Sequence, residues 1–227
     1  MRFEELNWFD LEQYLTNDDR LMLVIGACEQ HGYLSLLTDV KIPLALADAA
    51  SKQTGVLVAP PLNFGSSPYF LDYPGTISLR LSTMLDVVDD VVKSLYGQGF
   101  RRILVLNGHG GNEGVRAKLY ELINELSDLK ISWFSWWMSH SIEAVARNFE
   151  LKPSHANWLE AFSFTRVTEL PKKKKGFPHL SGLSNAVETR KTYGDGVFGG
   201  EYSTVNSVME ELFAAALDDV LVHLKFE

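Results

Sequence analysis

Residues 103–112 read ILVLNGHGGN, a short apolar run that ends abruptly in polar and glycine residues. The same pattern occurs at residues 21–25 (LMLVI), followed by a glycine, and at residues 55–59 (GVLVA), followed by two prolines. Apolar runs of this length that do not alternate with polar residues are typical of strands buried on both faces. Residues 131–137 and 162–167 predict two further strands.

Helical periods separate these runs. Residues 42–54, 82–98 and 112–126 place apolar side chains three or four positions apart, and residues 205–224 predict a closing helix. Strands that alternate with helices indicate parallel βαβ units with helices on both sides of the sheet. The expected fold is therefore an α/β three-layer α-β-α sandwich with a mostly parallel central sheet, formed by residues 1–227 as a single domain.

Composition excludes several classes of function. The chain has 21 Lys plus Arg against 29 Asp plus Glu, and its net charge of −8 disfavours a nucleic-acid partner, because phosphate contacts require a basic surface. No apolar run reaches the length of a membrane span, and residues 1–15 are too acidic for a signal peptide. A single cysteine suits a reducing compartment. We expect a cytoplasmic protein without a nucleic-acid or membrane partner.

Polar clusters follow two of the predicted strands. Glu29 and His31 lie just beyond the first strand, Asp39 precedes the next helix, and His109 lies among glycines beyond the third strand. Ligands of open parallel sheets bind outside the carboxyl ends of the strands. Imidazole and carboxylate ligands in this mixture suit Zn, Mn or Fe. Each residue alone could equally be a buried polar group or a helix cap, but together they predict a metal site at one sheet edge.

Several blocks also carry a family resemblance. The blocks are EQHG (29–32), LLTD (36–39), YPGTISL (73–79), NGHGGN (107–112), His155-Ala156 with Glu160 downstream, and the glycine-rich GVFGGEYST (196–204). In order and spacing they resemble the creatininase family of metal-dependent amidohydrolases. NGHGGN with an upstream EQHG is more similar to the formamide-cleaving and peptide-cleaving branches of that family than to true creatininases.

The resemblance implies a binuclear centre with two divalent metal ions per subunit. Carried over residue by residue, the implied metal ligands are Glu29, His31, Asp39 as the bridging ligand, His109 and Glu160. The family's histidine in the HA block matches His155, the candidate proton shuttle to the leaving nitrogen, since imidazole titrates near neutral pH. The family's assemblies imply a homo-oligomer, either a hexamer or a dimer.

Three departures from the family pattern bear on the substrate. Residues 33–37 (YLSLL) are one residue shorter than the usual stretch and lack the family's second histidine, although we expect the following helix to keep Asp39 in place. Tyr69-Phe70 stands where many members carry a histidine. Gly110-Gly111 replaces the tyrosine and glutamate of true creatinine hydrolases. The missing ligand role then falls to Glu160, and creatinine is not expected to be the substrate.

The expected activity is hydrolysis of a C–N bond in a small-molecule amide, cyclic amide or formamide, with a peptide as a further option. Two metal ions would lower the pKa of a bridging water from about 15.7 toward about 7 and generate hydroxide at neutral pH. The alternative is a non-catalytic metal-binding relative that has lost its substrate apparatus. The three departures favour this alternative, and the presence of all five implied ligands disfavours it.

Aromatic and charged residues near these motifs have simpler interpretations as well. Trp158 is a candidate wall for a planar substrate, with core or interface packing as the alternative. Trp137 and its neighbouring tryptophans are interpreted as strand packing. Residues 172–175 (KKKK) predict a solvated loop, with a steering patch for an anionic ligand as the alternative. Cys28 is interpreted as a structural residue.

Overall fold

A computed structural model describes residues 1–227. At its centre is a four-stranded parallel sheet in the order β2-β1-β3-β4. The strands are β1 (Arg20–Ile25), β2 (Leu57–Val58), β3 (Arg102–Asn107) and β4 (Lys130–Ser135). All but the first residue of β1 and of β3 are buried, because these two central strands are covered by helices on both faces.

Seven α-helices surround the sheet. They are α1 (Trp8–Leu15), α2 (Thr38–Thr54), α3 (Leu81–Gln98), α4 (Val115–Glu125), α5 (His140–Asn148), α6 (Ala186–Tyr193) and α7 (Asn206–His223). Met22 and Val24 of β1 belong to the apolar core that contains α2, α5 and α7, whereas Leu21 and Leu23 belong to the core that contains α3 and α4. The predicted three-layer α-β-α sandwich is therefore confirmed. None of the helices combines the length and the apolar character that crossing a membrane requires.

Two of the strand predictions need correction. The second strand is shorter than residues 55–59 and keeps only Leu57–Val58. The prediction of a strand at residues 162–167 is wrong, because this segment forms an irregular turn in which Phe162 and Thr165 are buried and Val167 is exposed. The hydroxyl of Thr165 donates to the carbonyl oxygen of Glu160 at 2.6 Å, and the only strand-like pairing is an isolated bridge between Leu34 and Arg166.

The strand order creates a crevice at the carboxyl edge of the sheet. The chain leaves β1 toward β2 on one side through α2, and then crosses back through α3 to β3 on the other side. The carboxyl ends of β1 and β3 therefore form a topological switch point, where open α/β sheets bind their ligands. Ile25 and Asn107 are register partners, so the two motif-bearing loops begin at the same level.

Candidate metal centre

The switch point brings together four separate stretches of the chain. Beyond β3, the amide of Gly108 donates to the carbonyl oxygen of Ile25 at 2.9 Å and holds the two loops side by side. Asp39 lies in the first turn of α2, so the shortened stretch before it leaves it at the site, as expected. Glu160 ends a 3-10 turn at Trp158–Glu160. The backbone alone therefore directs carboxylates and imidazoles to one point.

Five buried side chains meet there, and two of the three possible ligand groups share Asp39. One group is Glu29, Asp39 and His109, the other is His31, Asp39 and Glu160, and the potential ligand atoms of each group lie within 4.8 Å of one another. Oδ2 of Asp39 lies 3.0 Å from Nδ1 of His109, and Oδ1 lies 2.9 Å from Nε2 of His31. Asp39 thus presents one oxygen to each group, as a carboxylate shared by two cations would.

Hydrogen bonds at the far side of each imidazole set which nitrogen faces the centre. Nδ1 of His31 lies 3.3 Å from the carbonyl oxygen of Glu29, and Nε2 of His109 lies 2.9 Å from that of Ser66. Since a carbonyl oxygen only accepts, these nitrogens carry the proton in the neutral rings. The opposite nitrogens then direct their lone pairs at the carboxylates, an arrangement that either a proton or a metal cation between them would stabilise.

Unpartnered polar atoms in the centre agree with this arrangement. Oε2 of Glu29, Nε2 of His31 and Oδ2 of Asp39 are buried without a hydrogen-bond partner. The two short contacts of Asp39 are ion-pair distances that lack hydrogen-bond geometry. Buried groups without partners are rare in native proteins, and a ligand or ion is one of the explanations. The donor set, with carboxylates and imidazoles in both groups, fits Zn, Mn or Fe.

The pKa values of the imidazoles and carboxylates indicate that the centre has an excess of negative charge. Burial lowers the pKa values of His31 and His109, but the facing carboxylates outweigh burial and raise both well above the ordinary value. Burial raises the pKa of Asp39, but the two imidazoles outweigh it and lower this pKa. Burial also raises the pKa of Glu29. Protons on the imidazoles thus take the role that divalent ions would fill.

Two glycines allow the β3 loop to approach the other segments. A Cβ atom on Gly108 would lie 1.8 Å from the carbonyl oxygen of Asp39, and one on Gly111 would lie 2.0 Å from that of Ser66. Both neighbours are backbone atoms that cannot rotate away. A Cβ atom on Gly110, by contrast, would meet nothing within 4 Å. The neighbouring glycines of NGHGGN therefore differ sharply in what they tolerate.

We expect Gly111→Ala to lower the free energy of unfolding by about 1–3 kcal/mol, because the added methyl group forces Ser66 and His109 apart. Gly110→Ala is the matched control and should change stability by no more than about 0.5 kcal/mol. Chemical denaturation of both variants, with metal content measured on the same samples, checks the prediction. Equal stability of the two variants would contradict it.

His155 lies against the metal centre, and Gln30 holds it there. Nδ1 of His155 is 4.0 Å from Oε1 of Glu29, and its ring packs between Phe70 and Phe198 with centroid distances of 4.8 Å to each. Nε2 lies 2.9 Å from the amide nitrogen of the Gln30 side chain and 3.2 Å from the Gln30 carbonyl oxygen. Burial lowers the pKa of His155 well below its ordinary value, and the nearby His31 lowers it further. A neutral ring at this position is able to accept a proton.

Two further residues, the asparagines of NGHGGN, position the ligands, a role that the sequence did not assign to them. The Asn112 side chain donates to the carbonyl oxygen of Gly26 at 3.1 Å and accepts from the amide of Ser66 at 3.3 Å. The Asn107 side chain accepts from the amide of His109 at 3.1 Å. The two asparagines of NGHGGN therefore tie the β1 loop, the β3 loop and the Ser66 segment together. Their place inside the motif was the one available signal.

A cavity of about 790 Å³ opens onto the centre. It is lined by Glu29, Asp39, His109, His155 and Glu160, by residues 68–70, by Gly108, Gly110 and Trp137, by residues 153–154 and Leu159, and by Leu180, residues 182–186, Thr189, Tyr193 and Phe198. Four of the five expected metal ligands and the expected proton shuttle thus face one open space. His31, the remaining ligand, lies behind them and is buried.

The tryptophan on the cavity wall is not the expected one. Trp158 is fully buried in the apolar core, and its indole nitrogen donates to the carbonyl oxygen of Lys152 at 3.1 Å. The prediction that Trp158 contacts a substrate is therefore wrong, and the packing alternative describes it. Trp137 lines the cavity instead of packing within a strand, because β4 ends at Ser135 and a 3-10 turn at Trp136–Met138 redirects the chain.

The lysine run is only partly a solvated loop. Nζ of Lys175 donates to the carbonyl oxygens of Tyr193 and Val197 at 2.5 and 2.7 Å and pairs with Asp195. Lys174 pairs with Glu201 at 2.8 Å. Lys175 therefore fastens two late loops together, and none of the four lysines lines the cavity.

Comparisons with known proteins agree with the family resemblance of the sequence motifs. A protein-family profile described as "Creatininase: Creatinine amidohydrolase" matches residues 4–224. The creatinine amidohydrolase of Pseudomonas putida is 34% identical over 146 residues, which are 59% of this chain and 56% of that protein. The mycofactocin precursor peptide peptidase of Mycolicibacterium smegmatis is 33% identical over 99 residues, 40% of each chain. The chain thus spans about half, or less, of the length of the curated relatives it matches.

Solved structures extend the similarity to nearly the whole fold. A variant creatininase of zinc-zinc type superposes with a TM-score of 0.82 at 21% identity, over 97% of this chain and 95% of that one. At this level of identity, the superposition establishes a shared α-β-α sandwich and leaves the chemistry to be argued from the side chains.

Proposed function

The chain belongs to the creatininase family, and from this premise we propose that it is a metal-dependent hydrolase that cleaves the C–N bond of a small amide, cyclic amide or formamide. The observation that carries the proposal is the pair of ligand groups that share Asp39 at the base of an open cavity. The known relatives described above are hydrolases, which supports the reaction type. The peptidase among them keeps a short peptide within the range of substrates.

Two divalent ions account for the buried charge of the centre. Glu29, Asp39 and His109 would hold one ion, and His31, Asp39 and Glu160 would hold the other. Ions bound there supply a water molecule of lowered pKa and a Lewis acid for the substrate carbonyl. The structurally similar creatininase is of zinc-zinc type, which supports two metal ions in this centre. The donor set suits manganese or iron equally well.

The chain's own residues would position the substrate and move a proton. His155 is neutral and faces the centre through Nδ1, and the tautomer whose Nε2–H donates to the Gln30 carbonyl oxygen at 3.2 Å leaves Nδ1 free to accept a proton. It is therefore placed to take a proton and pass it to the nitrogen of the leaving amine. The aromatic rings of Phe70 and Phe198 restrict its rotation, so Nδ1 stays directed at the reacting groups.

Domain organisation, location and assembly are also proposed from membership of the family. Residues 1–227 would act as one domain, since both apolar cores include residues of β1 and β3. We also propose a cytoplasmic homo-oligomer, a hexamer or a dimer. The glycines of NGHGGN favour the formamide-cleaving and peptide-cleaving branches over true creatininases.

Metal loading combined with a substrate panel tests the proposal. We expect the purified protein to bind two equivalents of Zn²⁺ or Mn²⁺ and then to hydrolyse a member of a panel of formamides, small lactams and short peptides. A chelator should abolish the activity, and added metal should restore it. Bound metal without cleavage of any panel member would favour the non-catalytic alternative.

Three histidine variants make the metal assignment specific. His31→Ala and His109→Ala should each lower the metal content, whereas His140→Ala should leave it unchanged, because His140 is fully exposed on α5. Metal content is read by elemental analysis of dialysed protein. Unchanged metal content in both His31→Ala and His109→Ala would remove the basis of the proposed function.

A further inference from the structure

We propose that the cavity beyond the metal centre is a subsite for a neutral amide with an aromatic or branched apolar group next to the scissile bond. This inference rests on the proposed function, and it names the substrate class of the same site. Three properties of the cavity carry it, namely its charge, the character of its walls and its size.

Outside the metal centre, the cavity offers no cationic side chain to an anionic substrate. Its only acidic residues are Glu29, Asp39 and Glu160, which belong to the metal centre, and neither lysine nor arginine lines it. The nearby cations are engaged elsewhere, since Lys175 pairs with Asp195 and Arg190 binds Asp72. A carboxylate or phosphate placed in this space away from the metal centre would lose water without gaining a cationic partner, which is unfavourable. The cavity therefore selects against charged substituents.

Apolar side chains contribute much of the cavity lining. Tyr69, Trp137 and Phe198 contribute aromatic surface, and Leu180 and Leu183 contribute aliphatic surface. Leu183 is fully exposed at this position. A ring or branched group that packs against it removes apolar surface from water on both molecules, at about 25 cal/mol for each Å².

The cavity is also larger than a simple amide requires. Its volume of about 790 Å³ lies in the upper part of the range of about 300–1,000 Å³ that sites for drug-sized ligands occupy. Arg190 of α6 donates to the carbonyl oxygen of Asp72 at 2.6 Å and holds this helix beside the 3-10 turn Pro68–Phe70. These two elements of the cavity lining are therefore held together without a substrate.

A matched set of formamides tests the inference. N-Benzylformamide and N-methylformamide release similar alkylamines, and 4-(formamidomethyl)benzoate adds one negative charge to the larger compound. We expect N-benzylformamide to bind about 30- to 100-fold more tightly than N-methylformamide and to show a similar ratio in kcat/KM. The anionic analogue should bind at least about tenfold more weakly than N-benzylformamide. Calorimetric titration of the metal-loaded and the chelated protein gives binding without relying on turnover.

Variants of the wall assign the effect to this cavity. Leu183→Ser and Trp137→Ala should each reduce the preference for N-benzylformamide by about 3- to 10-fold. Val167→Ser is the matched control: it also changes an exposed apolar loop residue, and it lies outside the cavity. It should leave the preference unchanged.

The outcomes separate the subsite from the proposed reaction. Equal binding of the benzyl and methyl compounds would overturn the subsite, even if both are hydrolysed. Tighter binding of the anionic analogue would overturn its neutral character. Preferential binding of N-benzylformamide without cleavage of either compound would uphold the subsite and count against hydrolysis.

Discussion

Asp39→Asn is expected to remove both metal ions and to reduce hydrolysis on the order of 10³-fold or more, because activation of water by the ions is lost. Asp39 is the only residue that belongs to both ligand groups, with one oxygen at 2.9 Å from His31 and the other at 3.0 Å from His109. An amide nitrogen in place of one oxygen carries no charge and has no lone pair for a cation. Elemental analysis and the amide panel measure the two effects.

Two companion variants make this prediction specific. Asp48→Asn is the same substitution on the same helix, at a carboxylate that pairs with Arg2, and it should leave both ions in place. Glu160→Gln changes a member of one group only and should release one ion of the two. Retention of two ions by Asp39→Asn would show that this carboxylate is not the shared ligand.

His155→Ala is expected to reduce kcat by about 10²- to 10⁴-fold while both metal ions remain bound. The expected loss is that of a proton transfer, since His155 lies outside the two groups that share Asp39. Added imidazole should restore part of the activity of this variant. The matched control is His179→Ala, at an exposed histidine outside the cavity, which should behave like the wild type.

Metal analysis separates the two roles open to His155. This residue also lies within ligand distance of Glu29 and His31, so a third ligand group is geometrically available. Loss of an ion from His155→Ala would therefore identify it as a ligand and contradict the proton-shuttle assignment. Unchanged metal content with unchanged kcat would leave it a structural residue.

The central strands could be predicted from the sequence because a strand that is buried on both faces consists of an uninterrupted run of apolar residues. Residues 162–167 (FSFTRV) are not such a run, since they mix apolar with polar residues, and only Phe162 and Thr165 are buried in the turn that they form. Helices α1, α5 and α6 escaped prediction because each is short. Their local start signals, the capping side chains of Asn7, Ser139 and Asn185, are single polar residues that occur in many loops.

The site could be predicted to the extent that its chemistry lies in contiguous motifs. Glu29, His31 and His109 follow strands directly, so topology brings them together. Gln30 and Ser66 act through contacts with residues more than forty positions away, which no local pattern reveals. The cavity-wall tryptophan was assigned to Trp158 instead of Trp137 for a similar reason. The direction of each side chain depends on where β4 ends and how the following segment packs.

The convergence of four stretches of chain on one point makes metal binding a matter of folding thermodynamics as well as of catalysis. Ions held by Glu29, Asp39, His109 and Glu160 would act as cross-links between separate segments of the chain, so they would bind the native state and scarcely the unfolded one. Each tenfold increase in free metal above its dissociation constant then adds about 1.4 kcal/mol per ion to the free energy of unfolding. The melting temperature of the protein should accordingly report the metal supply of its surroundings.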